Sequence, residues 1–251
     1  MSRRGRLVLF AAAAAGLAAL LGWGLAGLPA VGEFHGAYGR LLGRVAVGER
    51  HATDIVASVV FDYRGFDTLI EEFILFTAGL GLTVLLRQQR REHRRGVSEA
   101  QAAESRIQDT SDVLAVVGLG LAGPTVLLGV YVVTHGHLTP GGGFQGGVIL
   151  ASALALVYLA GSYLAMRRIG PIPLLEAGES VGAAGFALIG AGGLLLSTAF
   201  LANFLPLGVP KMLLSGGTIP LLNVSVGLEV AGVFALAFAE FLDQAVLVRR
   251  G

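Results

Sequence analysis

The chain has 251 residues, of which 54% are hydrophobic and 14% are charged. Soluble domains carry about 25% charged residues, so this composition indicates an integral membrane protein. The absence of cysteine excludes disulfides and thiolate metal sites, and the net charge of +1 gives no reason to expect a nucleic-acid partner.

Apolar runs along the chain predict the fold. A helix needs roughly 20 apolar residues to cross a bilayer, and six runs reach that length. We therefore predict an all-α polytopic membrane protein with six transmembrane helices, at residues 7–28, 67–86, 113–134, 146–166, 177–201 and 220–248.

The first run begins with basic residues, as a signal peptide does, but a signal sequence has an apolar core of only about 7–15 residues. We therefore expect it to be retained as a helix, with Trp23 as an interfacial anchor.

Basic residues predict the orientation of the chain. Most of the 18 Lys and Arg residues lie near the amino terminus, between the second and third runs, after the fourth and after the sixth. Since cytoplasmic loops are enriched in Lys and Arg, we expect both termini to be cytoplasmic. The charged segment between the second and third runs is typical of a solvated linker. It predicts a 2 + 4 arrangement, with a two-helix module at 1–95, a linker at 96–111 and a four-helix module at 112–251.

A glycine-rich loop, "THGHLTPGGGFQGG", separates the third and fourth runs. A dinucleotide site would need a strand before the glycines, and a metal site would need ligands besides two histidines, so neither is favoured. We expect instead a bend between helices, because proline stops a helix and glycine allows positive φ and close packing. The residues that form this bend are Pro140, Gly141, Gly142, Gly143, Gly146 and Gly147. His135 and His137 have two interpretations, a proton relay or hydrogen bonds to free carbonyl groups at the helix end.

Acidic residues inside the apolar runs are the candidates for an ion or proton path. A charge within the bilayer costs at least about 2.5–3.5 kcal/mol, so such groups usually have a function. Glu71, Glu72 and Glu229 lie deepest, and a carboxyl group there can exchange a proton or offer oxygen atoms to a cation. For Glu71 the alternatives are an ion pair with Arg64 or an interaction with the helix dipole.

Other charged residues have simpler explanations. Asp67 is expected to cap the second helix. Glu176 and Glu179 lie at the predicted start of the fifth helix, where its dipole explains them. Glu240 and Asp243 are expected to pair with basic residues at the cytoplasmic end, and Lys211 is expected to anchor an apolar connector at the interface or to pair with a partner protein.

The loop and the last apolar run resemble a known family. "HGHLTPGGGFQGGVILA" and "SGGTIPLLNVSVGLEVAGVFALAFAEFL" are similar to the MnhB/MrpB subunit of multisubunit Na+/H+ antiporters. The resemblance covers residues 108–250 and implies a four-helix module of that family.

A second resemblance precedes it. "DIVASVVFDYRGFDTLIEEFILFTAGLGLTVLLR" is similar to the carboxyl-terminal part of MrpA, the large subunit of these antiporters, and to the MbhE-type subunit of membrane-bound hydrogenases. This resemblance covers residues 1–95. The residues of the family pattern found here are Asp62, Arg64, Asp67, Thr68, Glu71 and Glu72, and the resemblance implies that they belong to the candidate path.

The resemblances imply a function. They predict a membrane subunit of a cation (Na+)/proton antiporter in the cell membrane, which helps to form the ion path beside other antiporter or hydrogenase-type subunits. Such a subunit is not an enzyme by itself and carries no cofactor. The alternatives are the equivalent subunit of a hydrogenase-type or other redox-driven complex, and a purely structural assembly subunit.

Overall fold

The fold is built from helices of very different length. A computed structural model describes residues 3–28, 36–86, 111–161 and 163–248, and no β-strand occurs in these ranges. The all-α prediction is therefore confirmed. Within the described residues, a short π-helix, Val59–Tyr63, accompanies nine α-helices: α1 (Arg3–Ala26), α2 (Ala37–Arg50), α3 (Ile55–Ser58), α4 (Gly65–Leu86), α5 (Asp112–Thr134), α6 (Gly143–Leu159), α7 (Tyr163–Ile169), α8 (Ile172–Leu196) and α9 (Ile219–Val248).

Five helices of the described ranges are long and apolar enough to cross a membrane, which makes the chain a multi-pass membrane protein. These are α1 from Leu7 onward, α4, α5, α8 and α9. The apolar α6 has only 17 residues, fewer than the roughly 20 that a perpendicular crossing needs. The sixth crossing that the sequence predicts therefore stays a prediction.

Two predicted runs have different bounds in the structure. The fourth is interrupted, because Gly161 adopts a positive φ of 95° that ends a helix and that side chains other than glycine avoid. The fifth run forms α8, which begins at Ile172 and not at residue 177. Pro171 is its N-cap and Pro173 lies in its first turn, positions that proline favours because the first turn needs no N–H donors.

The chain divides into two compact units, residues 1–41 and 42–251. The first contains α1, whose described residues are all exposed except Gly5, which is partly exposed. In the second, α9 is central and packs against α4, α5, α6 and α8. Its core contains Phe61, Phe186, Ile219, Leu222, Val226 and Val230.

The predicted module boundaries stay a prediction. Residues 87–110 lie outside the described ranges, and they include nearly all of the charged linker predicted at residues 96–111. On either side of it, α4 of the predicted first module packs against α8 and α9 of the second. The helices of the two predicted modules are thus packed together, and this packing positions the candidate site.

Candidate functional site

The glycine-rich loop is a bend between α5 and α6. Gly141 and Gly142 adopt φ angles of 139° and 129°, which lie in the region that side chains other than glycine rarely adopt. The preceding turn is held to the segment before α3, since the Asp54 N–H donates to the His137 carbonyl oxygen at 3.1 Å and the Thr53 hydroxyl donates to the Leu138 carbonyl oxygen at 2.6 Å.

Asn223 fixes the start of α6 against α9. The Gly143 N–H donates to its side-chain oxygen at 2.9 Å, and its amide group donates to the Ile219 carbonyl oxygen at 3.3 Å. One turn later, a Cβ atom on Gly147 would lie 2.7 Å from the Val230 Cβ. Glycine is thus needed for the backbone of α6 to approach α9.

Two carboxyl groups face each other in the interior of the helix bundle. Glu72 on α4 is 5% exposed and Glu229 on α9 is fully buried. They lie where α4 packs against α9, and the two carboxyl groups interact electrostatically. No N–H or O–H group of the described residues donates to either oxygen of Glu229 or to Glu72 Oε2. Two facing carboxylates without a cation repel each other, so such a pair is stable when it shares a proton or binds a positive ion.

A cavity connects Glu72 with the glycine bend. Its volume is about 220 Å³, well above the roughly 10–15 Å³ that one water molecule requires. The wall contains Glu71, Glu72, Thr68, Gln145, Asn223 and the three glycines 141–143, together with Val56, Ala57, Val60, Phe61, Phe144 and Val226. The structure therefore brings together the acids of α4 and the glycine loop, two features that lie 70 residues apart in the sequence.

A polar network surrounds the π-helix near the start of α4. The Arg50 Nε atom donates to Asp62 at 2.7 Å, and the Asn203 amide donates to the other oxygen of Asp62 at 3.1 Å. The Tyr63 hydroxyl donates to Glu49 at 2.5 Å, and burial together with this hydrogen bond raises the pKa of Tyr63 to about 12. Asp62 thus has fixed partners on α2 and on the connector between α8 and α9.

Three further predicted site residues lie on the surface: Arg64, Asp67 and Lys211. Arg64 forms an ion pair with Asp67 and not with Glu71, which is exposed at the cavity wall. Lys211 is exposed on the connector between α8 and α9, where it adopts a positive φ of 73°. None of the three contacts Glu229.

The two histidines of the loop have different environments. His135 Nδ1 lies 3.0 Å from the Tyr131 carbonyl oxygen, and its ring stacks on the Tyr131 ring with 4.1 Å between centroids, so it closes the end of α5. His137 is fully buried, and neither of its ring nitrogens has a hydrogen-bond partner among the described residues. Burial lowers the pKa of His137, while the nearby backbone of Met212 and Leu213 opposes the change.

The lowered pKa of His137 predicts a pH-dependent stability. The unfolded chain binds the proton more readily than the folded one, so stability is fully present above the ordinary pKa of 6.5 and falls as the pH drops below it. The slope is at most about 1.4 kcal/mol per pH unit. Thermal unfolding in detergent between pH 5 and 8 should show this loss for the wild type and a smaller one for His137→Phe. Equal slopes in both proteins would assign the pH dependence to other groups.

Glu179 is a buried acid that the sequence did not identify as a candidate for the ion path. It lies seven residues into α8 and is 5% exposed, and its Oε1 atom has no hydrogen-bond partner among the described residues. The expectation that the helix dipole explains it is wrong, because α8 begins five residues earlier than predicted. The sequence "GPIP" before the apolar run was the signal for that earlier start.

These features define a class of protein: a multi-pass helical membrane protein with carboxyl groups buried between its helices. Residues 113–236 match the family model described as a domain related to the MnhB subunit of Na+/H+ antiporter. The chain belongs to this family. The resemblance read from the glycine loop and the last helix is therefore confirmed, whereas the MrpA-like interpretation of the preceding segment stays a prediction.

Two proteins are similar to this chain in sequence. An uncharacterized protein of Methanocaldococcus jannaschii is 32% identical over 215 residues, which are 76% of this chain and 78% of that protein. A probable K+/H+ antiporter component of Rhizobium meliloti is 28% identical over 130 residues. That match spans 46% of this chain but only 13% of the Rhizobium protein.

Two solved structures contain a similar chain. One is the membrane-bound sulfane sulfur reductase (MBS), an archaeal respiratory membrane complex, with a TM-score of 0.67 and 28% identity over 94% of this chain and 98% of the matched chain. The other is the Mrp complex from Dietzia sp. DQ12-45-1b, with a TM-score of 0.67 and 26% identity over 96% of this chain. The present chain covers 26% of that Mrp chain, so it corresponds to a part of a larger polypeptide there.

Proposed function

We propose that the chain is a membrane subunit of a multisubunit cation/proton antiporter, and that its Glu72–Glu229 pair is an ion-handling site in that complex. The observation that carries the proposal is the burial of two facing carboxyl groups that have no basic partner among the residues the structure describes. Membership of the MnhB family and similarity to a chain of an Mrp complex support it. The chain acts with other membrane subunits and catalyses no reaction by itself.

The proposed topology has six crossings in a 2 + 4 arrangement, with both termini in the cytoplasm. It treats the 17-residue α6 as a short crossing beside α9. Most basic residues then lie on the cytoplasmic side, as the positive-inside rule requires. The glycine bend, the cavity and the start of α4 face the outer side.

The geometry suggests how the site works. Water in the cavity reaches Glu72, whereas Glu229 behind it is closed off from solvent. When the pair holds one proton, one carboxyl group donates a hydrogen bond to the other. When the proton leaves, the doubly charged pair needs a cation such as Na+ to offset the repulsion. Proton and cation therefore compete for one pair of carboxyl groups, which is the requirement for exchange.

Glu72→Gln and Glu229→Gln test this proposal. We expect each variant to lower cation-driven proton flux by at least about tenfold, because an amide has nearly the shape of the carboxyl group but cannot exchange its proton. The measurement is flux through the complete complex in liposomes, followed with an internal pH dye. Asp112→Asn, an exposed acid in the first turn of α5, is the control and should retain the wild-type rate.

Assembly is scored on the same variants by native gel electrophoresis. Normal flux in complexes that contain Glu72→Gln or Glu229→Gln would rule out an ion-handling pair. The explanation that remains would then be a structural assembly subunit.

A redox-driven complex is the second candidate, and one observation favours it. The matched chain of the MBS complex corresponds to this chain over nearly its full length, whereas the matched Mrp chain is about four times as long. Purification of the tagged chain in mild detergent, with mass spectrometry of the partners, separates the two candidates. Antiporter subunits alone support the first, and co-purifying iron–sulfur or hydrogenase-like subunits support the second.

A further inference from the structure

A third buried carboxyl group lies next to the pair. Glu179 on α8 lies beside Glu229 on α9, since a Cβ atom on Gly232, one turn after Glu229, would lie 3.0 Å from the Glu179 Cα. Its Oε1 atom has no hydrogen-bond partner among the described residues. Like Glu229, it is thus a buried oxygen acceptor that the surrounding helices leave unsatisfied, and this is costly unless the group has another use.

Three glycines bring the helices together around Glu179. A Cβ atom on Gly79 of α4 would lie 2.7 Å from its Oε1 atom, and one on Gly232 of α9 would lie 2.5 Å from its backbone nitrogen. One turn away on α8, a Cβ on Gly182 would lie 2.7 Å from the Glu229 Cβ. The side chains of Glu229 and Glu179 therefore occupy a tightly packed three-helix contact.

The same helix carries a second, exposed acid. Glu176 lies three residues before Glu179, which places it on the neighbouring turn of the same face, and the two charges repel each other. It is exposed and only four residues from the start of α8, roughly 6 Å along the helix axis. The nearby Glu240, 8% exposed, also interacts with Glu176, and Asp243 beside it lies 3.6 Å from Arg167.

We propose that Glu179 extends the Glu72–Glu229 pair into a file of carboxyl groups that conducts protons through this chain. Exposed acids stand at its two ends, Glu71 at the cavity wall and Glu176 near the start of α8. The three members between them are buried. In each step a protonated carboxyl group passes its proton to the next carboxylate, so that charge moves along the file without a net change in the number of bound protons.

The packing indicates a proton as the conducted species beyond Glu229. A cation needs several oxygen ligands around it, and the glycine contacts bring backbone and side-chain atoms too close together around Glu179 for such a shell. A proton needs only an acceptor oxygen within hydrogen-bond distance. The cation would therefore compete at the open Glu72 end, while protons continue to Glu179.

This inference rests on the proposed function, and the variants of Glu179 test it separately. We expect Glu179→Gln to lower proton flux in reconstituted complexes by at least about tenfold. Glu179→Asp keeps a carboxyl group but shortens its reach, and it should retain an intermediate rate. Ser180→Ala, at the exposed neighbouring position on α8, is the control and should match the wild type. A purely structural role of Glu179 predicts no rescue by Asp relative to Gln.

The outcomes are distinguishable. Loss of flux in Glu72→Gln and Glu229→Gln with a wild-type rate in Glu179→Gln overturns the file but leaves the proposed function intact. Wild-type rates in all three variants overturn both. If Glu179→Gln does not assemble, the flux of Glu179→Asp is compared with that of the wild type instead. A wild-type rate in that assembled variant overturns the file.

Discussion

Gly182→Val is expected to prevent assembly of the complex. A Cβ atom at this position would lie 2.6 Å from the Ser225 carbonyl oxygen and 2.7 Å from the Glu229 Cβ. These contacts belong to the backbone and first side-chain atoms of α9, so they cannot be relieved by a side-chain rotation. Helix pairs in membranes depend on such close approach at small residues. The two methyl groups of valine would force α8 and α9 apart along their whole contact.

A smaller side chain at position 182 is expected to have a smaller effect on stability. We expect Gly182→Ala to fold but to cost about 1–3 kcal/mol, as overpacking typically does. This cost corresponds to a decrease of roughly 2–12 °C in melting temperature for a chain of this size. The measurement is the melting temperature of the detergent-solubilised complex, by size-exclusion chromatography after heating.

Gly178 provides the matched control on the same face of α8. A Cβ atom there would lie 3.7 Å from the Leu228 carbonyl oxygen, an ordinary contact. Gly178→Ala should therefore melt near the wild type, or slightly above it, because alanine favours a helix more than glycine does. Equal melting temperatures for the alanine variants at 178 and 182 would show that α8 and α9 can separate at no cost.

Replacement of both Glu72 and Glu229 by leucine is expected to abolish transport without loss of stability. Leucine is an apolar side chain of comparable size. It removes two buried carboxyl groups, of which Glu72 Oε2 and both oxygens of Glu229 have no donor among the described residues. Exchange of a buried polar pair for apolar residues is often neutral or stabilising by about 1–4 kcal/mol. The double variant should therefore melt at or above the wild-type temperature, while its cation-driven proton flux falls to the background of empty liposomes.

Single leucine variants are the controls for this prediction. Glu229→Leu alone leaves Glu72 facing an apolar group, and removal of one member of a buried pair is usually destabilising. We expect each single variant to melt below the double variant. A double variant that melts well below both single variants would contradict the interpretation that these carboxyl groups are retained for function at a cost in stability.

The sequence alone determined the membrane class, the all-α fold and the family. Composition and run length are sufficient for the first two, because a helix in lipid must satisfy its own backbone and expose apolar side chains over its full length. The glycine loop and the last helix are local patterns, so they identify the family without knowledge of the packing. Glu72 and Glu229 were also visible as candidates, since a carboxyl group within an apolar run is rare whatever its neighbours are.

Only the tertiary structure decided which acids meet. Glu71 and Glu72 are adjacent in the sequence, yet one is exposed and the other is buried beside Glu229, because consecutive residues of a helix point in different directions. Glu179 joins them through the crossing of α4, α8 and α9, which bring together residues more than 100 positions apart. Hydropathy describes how each helix partitions into lipid, but the face that a helix presents to its neighbours depends on glycine contacts between chain segments that are distant in sequence.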